Sequence, residues 1–357
     1  MTVSRRQFLV LAGAGITSLP YLPTARGQAV PGRCINPGPR PPLLHAPRIV
    51  IVGIGGAGGN IVSRTLYGRL RDVECVAIDR DEQVLNELPA DVTLSIGPRA
   101  RRGLDYGRLR EHGRMAMEER RDDVARILSN ADLVLLVGGM GGGTGTGGAP
   151  VLARLAGEAG ALTMAVVTRP FGFEGRWRNR QAAAGILDLT RVCDATVVVP
   201  HDGIIDIAGR NAPYRCALEQ IDDAVGAGVR AVAGAVTVPG MICVGIEDIL
   251  AIFRSRGVGA LGIGTAAGPD RARVAARRAL ACPLLRDAAP GRVGGSLLRI
   301  AAADLTLAEI QRASEIVSDT LADETLMVGY DAAEPSLGDA LCVTLVVAGS
   351  VEAAALG

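Results

Sequence analysis

Residues 138–148 read GGMGGGTGTGG, eight glycines in eleven positions, directly after the apolar run ADLVLLV at 131–137. Glycine inside a regular element costs roughly 0.5–1 kcal/mol relative to alanine, so a run this dense answers a demand that side chains cannot meet. Its place, at the end of a buried strand and ahead of the amphipathic stretch VLARLAGEAG, is where backbone N–H groups and a helix N-terminus face an anion together. Such a run reads as one wall of a phosphate cradle.

Upstream, RIVIVGI (48–54) predicts a buried strand ending in Gly53-Ile54-Gly55-Gly56-Ala57-Gly58-Gly59-Asn60, a G-x-G-x-x-G turn ahead of a helix over NIVSRTLYGRL (60–70). A second strand, VECVAID (73–79), brings Asp79 and Asp81 to the spacing of a dinucleotide site, so a Rossmann-type NAD-dependent oxidoreductase is one reading. The second glycine run favours a mononucleotide instead. Two loops on one sheet edge hold a phosphate chain from both sides, with Thr144 and Thr146 adding hydroxyl donors, and a dinucleotide enzyme needs no second cradle.

Further outward, a helix over MAMEERRDDVARIL (115–128) and strands at 161–168 and 195–200 continue the alternation. Short all-apolar strands between helices mean a Rossmann-like parallel sheet covered on both faces. ALEQIDDAVGAGVRAVAGAV (217–236) places Leu218, Ile221, Val225, Val229, Val232 and Val236 at steps of three and four, a long central helix stopped by Pro239-Gly240. Strands at 259–268, 295–303, 325–330 and 340–349, with a helix over 306–321, form a smaller α/β second domain.

The chain has 357 residues, 48% hydrophobic and 21% charged, which is a globular composition long enough for two domains. A net charge of +1 and 3% aromatics give nucleic acid neither an electrostatic footprint nor a stacking platform. There is no lysine, which excludes a Walker A loop and Schiff-base chemistry. Seven cysteines without a C-x-x-C pair argue against a metal site or a disulfide framework. At the start, Ser4-Arg5-Arg6-Gln7-Phe8-Leu9 resembles a twin-arginine export signal with a small-residue cleavage site at Gly27-Gln28-Ala29, followed by a proline-rich tether over 30–47.

Taken together, these features resemble the FtsZ/tubulin family of self-assembling GTPases, closer to bacterial FtsZ than to tubulin. Gly141-Gly142-Gly143-Thr144-Gly145-Thr146-Gly147 matches the family signature, and the likeness extends from about Arg48 to Gly349 through AVVTRPFGFEGRWR (165–178), the long helix and ACPLLRD (281–287). The resemblance implies GTP or GDP with Mg2+ between the loops of a GTP-binding domain (48–210). It also implies a central helix (211–238) and a C-terminal domain (239–350) that meets the nucleotide of a neighbouring copy, or of a related FtsZ, in a head-to-tail filament. On this basis Gly56, Ala57, Gly58 and Asn60 contact the phosphates from the first side, and Gly142, Gly143, Thr144, Gly145 and Thr146 from the second. Glu174 and Arg178 hold ribose and phosphates, and Asp223 accepts the guanine N–H donors.

Four departures stand out against that resemblance. Where FtsZ has Asn-x-Asp-x-x-Asp on the loop entering the second domain, this chain has Cys243-Val244-Gly245-Ile246-Glu247-Asp248. The catalytic pair is therefore Asp248 with Glu247 as a substitute acid, and the loss at Gly245 leaves hydrolysis open, because water positioning and charge stabilisation carry most phosphoryl-transfer catalysis. Asp105–Leu109 replaces the small-residue loop that reads the γ-phosphate and offers Arg108 instead. His201 stands in place of a base-contacting asparagine and Leu218 in place of a stacking ring. Lastly, the sequence closes on VEAAALG without the FtsZ recruitment peptide. The expected function is a GTP-binding filament former in cell division or a related role, with a non-hydrolysing GTP-binding scaffold and the NAD enzyme as alternatives. The expected place is the cytoplasm, at the membrane through the leader, with twin-arginine export as the alternative.

Overall fold

The computed structural model describes residues 47–70, 72–97, 109–237, 244–253, 258–286, 294–321 and 326–351. The leader, residues 30–46 of the tether, Arg108 and Pro239-Gly240 lie outside them. Strands β1 (Ile49–Ile54), β2 (Val73–Asp79), β3 (Val92–Ser95), β4 (Leu133–Gly139), β5 (Leu162–Arg169) and β6 (Ala195–Pro200) pair in parallel in the order β3-β2-β1-β4-β5-β6. The order reverses between β1 and β4, where an open parallel sheet leaves a crevice beyond the carboxyl ends of its strands. Successive residues of a strand face opposite sides, so both faces must be covered. Ile49 and Ile51 enter one core cluster while Val50, Val52 and Ile54 enter another.

The connecting helices are α1 (Gly55–Ile61), α2 (Glu82–Glu87), α3 (Leu109–Glu119), α4 (Arg121–Leu128), α5 (Ala149–Glu158), α6 (Arg176–Val192), α7 (His201–Ala208) and the long α8 (Tyr214–Thr237). Met117, Leu128, Leu152 and Ile186 bring α3 to α6 onto one face of the sheet. Ile221, Val225, Val229 and Val232 bring α8 onto the other, as the heptad-like spacing predicts.

The remaining elements are α9 (Ile246–Phe253), β7 (Val258–Ala267), α10 (Arg271–Leu280), β8 (Gly295–Ala302), α11 (Leu307–Thr320), β9 (Leu326–Ala333) and β10 (Ala340–Val351). β10 runs antiparallel to both β7 and β8, and β8 pairs in parallel with β9. β6 and β7 also pair at Thr196↔Val258 and Val197↔Gly259, so ten strands make one continuous sheet. The second half is thus joined to the first edge to edge as well as through α8, whose core cluster includes Leu297, Ala301 and Val346.

Three local expectations change. The helix placed at 60–70 starts inside the first glycine loop and gives way to a turn at Tyr67-Gly68, where Gly68 has φ +68°. The helix placed at 115–128 is two helices, broken at Arg120 (φ −106°, ψ 18°). Strand β3 and helix α2 carry too little apolar periodicity to have been foreseen.

Candidate nucleotide site

Both glycine loops lie at the carboxyl ends of neighbouring strands, β1 and β4. Gly55 turns the first loop with φ +69°, and Gly141 turns the second with φ +102°. A Cβ on Gly55 would stand 3.4 Å from Cβ of Thr144, so the loops face each other at close range. At Gly56 and Gly142 a Cβ would meet nothing within 4 Å. These two positions present bare backbone to open space, the geometry that lets phosphate oxygens approach N–H groups. Ala57 and Asn60 are exposed beside Gly56.

Other glycines of the same loops answer a different demand. A Cβ at Gly58 would collide with the Val137 carbonyl, one at Gly143 would lie 2.8 Å from the Leu109 carbonyl oxygen, and Gly145 and Gly147 are pressed against the backbones of Gly139 and of Arg110. The run at 138–148 is therefore part cradle and part packing surface for α3. The two threonines divide likewise. Thr146 is fully buried and its Oγ1 accepts the Gly141 N–H at 2.8 Å, so it braces the loop from inside rather than offering a donor outward. Thr144 is half-buried, and its hydroxyl donates to Asp79 at the end of β2. Burial raises the Asp79 carboxyl above its ordinary range, against the pull of the Arg80 N–H at 2.6 Å.

On the far side of the second loop, Arg178 lies across Gly141, whose Cβ would sit 2.7 Å from the arginine Cγ. Its Nε is 3.1 Å from Oε2 of Glu174, whose Oε1 accepts the Phe171 N–H at 2.9 Å. His201 Nδ1 stands 3.6 Å from the same Glu174 oxygen, and burial lowers the histidine's pKa against the pull of that carboxylate. Glu174, Arg178 and the second loop are thus brought together.

Asp223 is not. It is exposed and lines a separate cavity with Arg230, Arg299 and Glu334. Its neighbour Asp222 faces the first loop's own helical segment, with Oδ2 3.1 Å from Arg64 Nη1. Burial pushes the Asp222 carboxyl up to about 6, with Arg64 opposing and Asp223 adding to the rise. The signal was present in the sequence: Asp222 follows Leu218 by four residues, one helical turn along the same face. Asp248 and Glu247 are also apart from the loops. They open α9, more than fifteen residues of helix past Asp222, or about 22 Å along α8. Asp248 Oδ2 accepts the Gly245 N–H at 2.9 Å, while Glu247 is exposed.

A profile of the tubulin/FtsZ family GTPase domain matches residues 48–209, and one of the FtsZ family C-terminal domain matches 257–351. The chain belongs to the tubulin/FtsZ family. An FtsZ dimer from M. jannaschii is 32% identical with a TM-score of 0.79, over 84% of this chain and 88% of that one. Two CetZ structures from Haloferax volcanii share the fold, each covering 87% of this chain and 96% of their own. One, a GTPγS-bound protofilament, is 22% identical with a TM-score of 0.66. The other, a GDP-bound monomer, is 20% identical with a TM-score of 0.70.

For a tubulin/FtsZ chain the family implies guanine-nucleotide binding, and the acids that a dinucleotide site would use are engaged otherwise. Asp81 accepts the Gln83 N–H at 3.2 Å as the N-cap of α2, and Asp79 holds Thr144. Among the described residues no group of three His, Cys, Asp or Glu side chains is placed to hold a metal ion. Cys75, Cys193 and Cys282 are buried free thiols, in keeping with small hydrophobic packing residues. No described helix is long and apolar enough to cross a membrane.

Proposed function

We propose that this chain binds GTP and GDP between its glycine loops, self-assembles head to tail, and completes a hydrolytic site only between two copies. The observation that carries the reading is the opposed pair of loops, with bare backbone at Gly56 and Gly142 and Arg178 lying over Gly141. In this arrangement the first loop, with Ala57, Gly58 and Asn60, and the second, with Gly143 and Gly145, cradle the phosphates through backbone N–H groups. Glu174 and Arg178 take the ribose side, and Asp222 rather than Asp223 accepts the guanine donors. Mg2+ suits the site as a cation carried mainly by the phosphates, since it favours one or two carboxylates plus phosphate oxygens. Asp79, beside Thr144, is the carboxylate nearest that role.

Glu247 and Asp248, beyond the far part of α8, can reach a nucleotide only on a neighbouring copy. The matched FtsZ dimer and the CetZ protofilament supply the precedent for such stacking. A scaffold that binds without hydrolysis is the second reading. It is favoured by Gly245 at the position of an acid and by Asp248 holding the Gly245 N–H. Residues 48–210, 211–238 and 239–350 act as nucleotide domain, connecting helix and the part that meets the neighbour. The cytoplasm, where GTP is held, is the proposed place, with a filament role in division or a related process.

Phosphate release from GTP across protein concentrations, with binding followed in parallel, tests this. Turnover that climbs steeply above a threshold supports an intermolecular site. Binding without turnover selects the scaffold, with Gly245→Asp as the restoring variant. Absence of guanine-nucleotide binding overturns the proposal.

A further inference from the structure

We infer that Tyr214 supplies the aromatic face on which the purine rests, an inference that builds on the guanine-nucleotide reading above. Tyr214, Leu218 and Asp222 recur every four residues on α8, one face of the helix with about 6 Å of rise between successive members. Asp222 marks that face as the one turned to the first loop, through Arg64. Leu218 is half-buried against the core and offers only an aliphatic end. The next position along the stripe is a ring.

That ring has no packing reason to be where it is. Tyr214 is 59% exposed although large apolar surface is costly to leave in water. It is nevertheless held in place: its centroid is 6.2 Å from that of Phe171, which is 2% exposed. Phe171 in turn meets His201 edge-on at 4.9 Å and stacks on Phe173 at 4.7 Å. The chain has only four phenylalanines, five tyrosines and one tryptophan, yet three of these rings and a histidine form one connected frame, tied through His201 and Glu174 to Arg178 and the second loop. A ring positioned at its edge by a buried partner, with most of its surface open beside a base-reading carboxylate, is prepared for stacking without further loss of side-chain freedom. Base–aromatic stacking is sequence-tolerant, so the ring adds affinity while Asp222 adds the preference for guanine.

The test is calorimetric titration of the full chain with GDP and, separately, with pyrophosphate, which has no base. Tyr214→Ala is expected to weaken GDP about tenfold and to leave pyrophosphate unchanged. Tyr214→Phe should stay within about twofold, and Leu218→Phe in the Tyr214→Ala background should recover most of the loss. Tyr214→Leu, which keeps bulk without a ring, should lose as much as alanine and guards against a helix loosened by truncation. GDP affinity unchanged in Tyr214→Ala overturns the inference. So does an equal loss for pyrophosphate, which would make the ring a brace of the loops. A variant altered in sedimentation alone would assign the ring to contact between copies and overturn it as well. If the unmodified chain binds pyrophosphate but not GDP, the guanine-nucleotide proposal itself fails, and this inference with it.

Discussion

Two glycine-rich stretches of this chain look alike on paper and do opposite things. GGMGGGTGTGG (138–148) and GALGIGTAAG (259–268) both follow the logic of a backbone that must come close to something. In β7 the something is always protein. The missing side chains of Gly262 and Gly264 face the backbone of α10 at Ala279 and Ala275, and Ala272, Ala275, Ala276 and Ala279 are buried there as the matching small residues. In the loop after β4, Gly145 and Gly147 are occupied in the same way, but Gly142 faces open space. Glycine density therefore reports close approach. Only the direction of the absent Cβ tells whether the neighbour is the protein or a ligand.

The largest expected effect tests the packed side of that comparison. Gly264→Ala drives a methyl into the Ala275 carbonyl and Ala279 N–H, and should cost about 3 kcal/mol, read as a shift in the chemical denaturation midpoint. An unshifted midpoint would mean that α10 does not lie on β7 as described. Gly142→Ala is the open-side counterpart: stability should stay within about 0.5 kcal/mol while GDP affinity falls tenfold or more. If affinity survives, the loop is no cradle.

The adjacent acids sharpen the comparison at the scale of one residue. Asp222→Asn should weaken GDP about tenfold, as expected for a buried acceptor facing guanine donors, and Asp223→Asn should stay within about twofold. The reverse ranking would restore the reading made from the sequence. Burial holds the Asp222 carboxyl near 6, and it must be ionised to accept, so GDP binding should weaken as pH falls below about 6. The charged groups around it are Arg64, Asp223 and Glu219, and the nearby His201 is held neutral by burial, so Asp222→Asn should flatten the profile. A profile that keeps its slope in that variant would point to another group.

The second half should respond differently to acid. Hydrogen bonds from Arg271 hold Glu309 down to about 2, below its unfolded value of 4.5. A depressed carboxylate stabilises above its unfolded pKa and loses that contribution as pH falls through the folded value. The capping box of Thr306 and Glu309 and the tie between α10 and α11 should thus persist at pH 4, after guanine binding has gone. Helical circular dichroism lost together with GDP binding would contradict this.

Much of the fold was legible along the chain. β1, β4, β5 and β6 are apolar because both of their faces are covered, and α8 declares itself by steps of three and four. β3 and α2 were missed because each is too short and too half-exposed to show a period. At the site, the residue types were legible and their directions were not. Thr146 looked like a hydroxyl donor and proved to be an internal brace, because its neighbours on the loop leave Gly141 N–H in need of a partner. The frame of Phe171, His201 and Tyr214 joins residues from three separate segments that no spacing connects.

By itself, the sequence determined the strand–helix alternation, the two phosphate-facing loops and the family, since these rest on local periods and on contiguous motifs. Tertiary structure alone decided which glycines stay open, which of two adjacent aspartates reads the site, and that ten strands join into one sheet. The physical reason is rotational and long-range. A single step along a helix turns a side chain by about 100°, and what it then faces is set by elements far away in the chain.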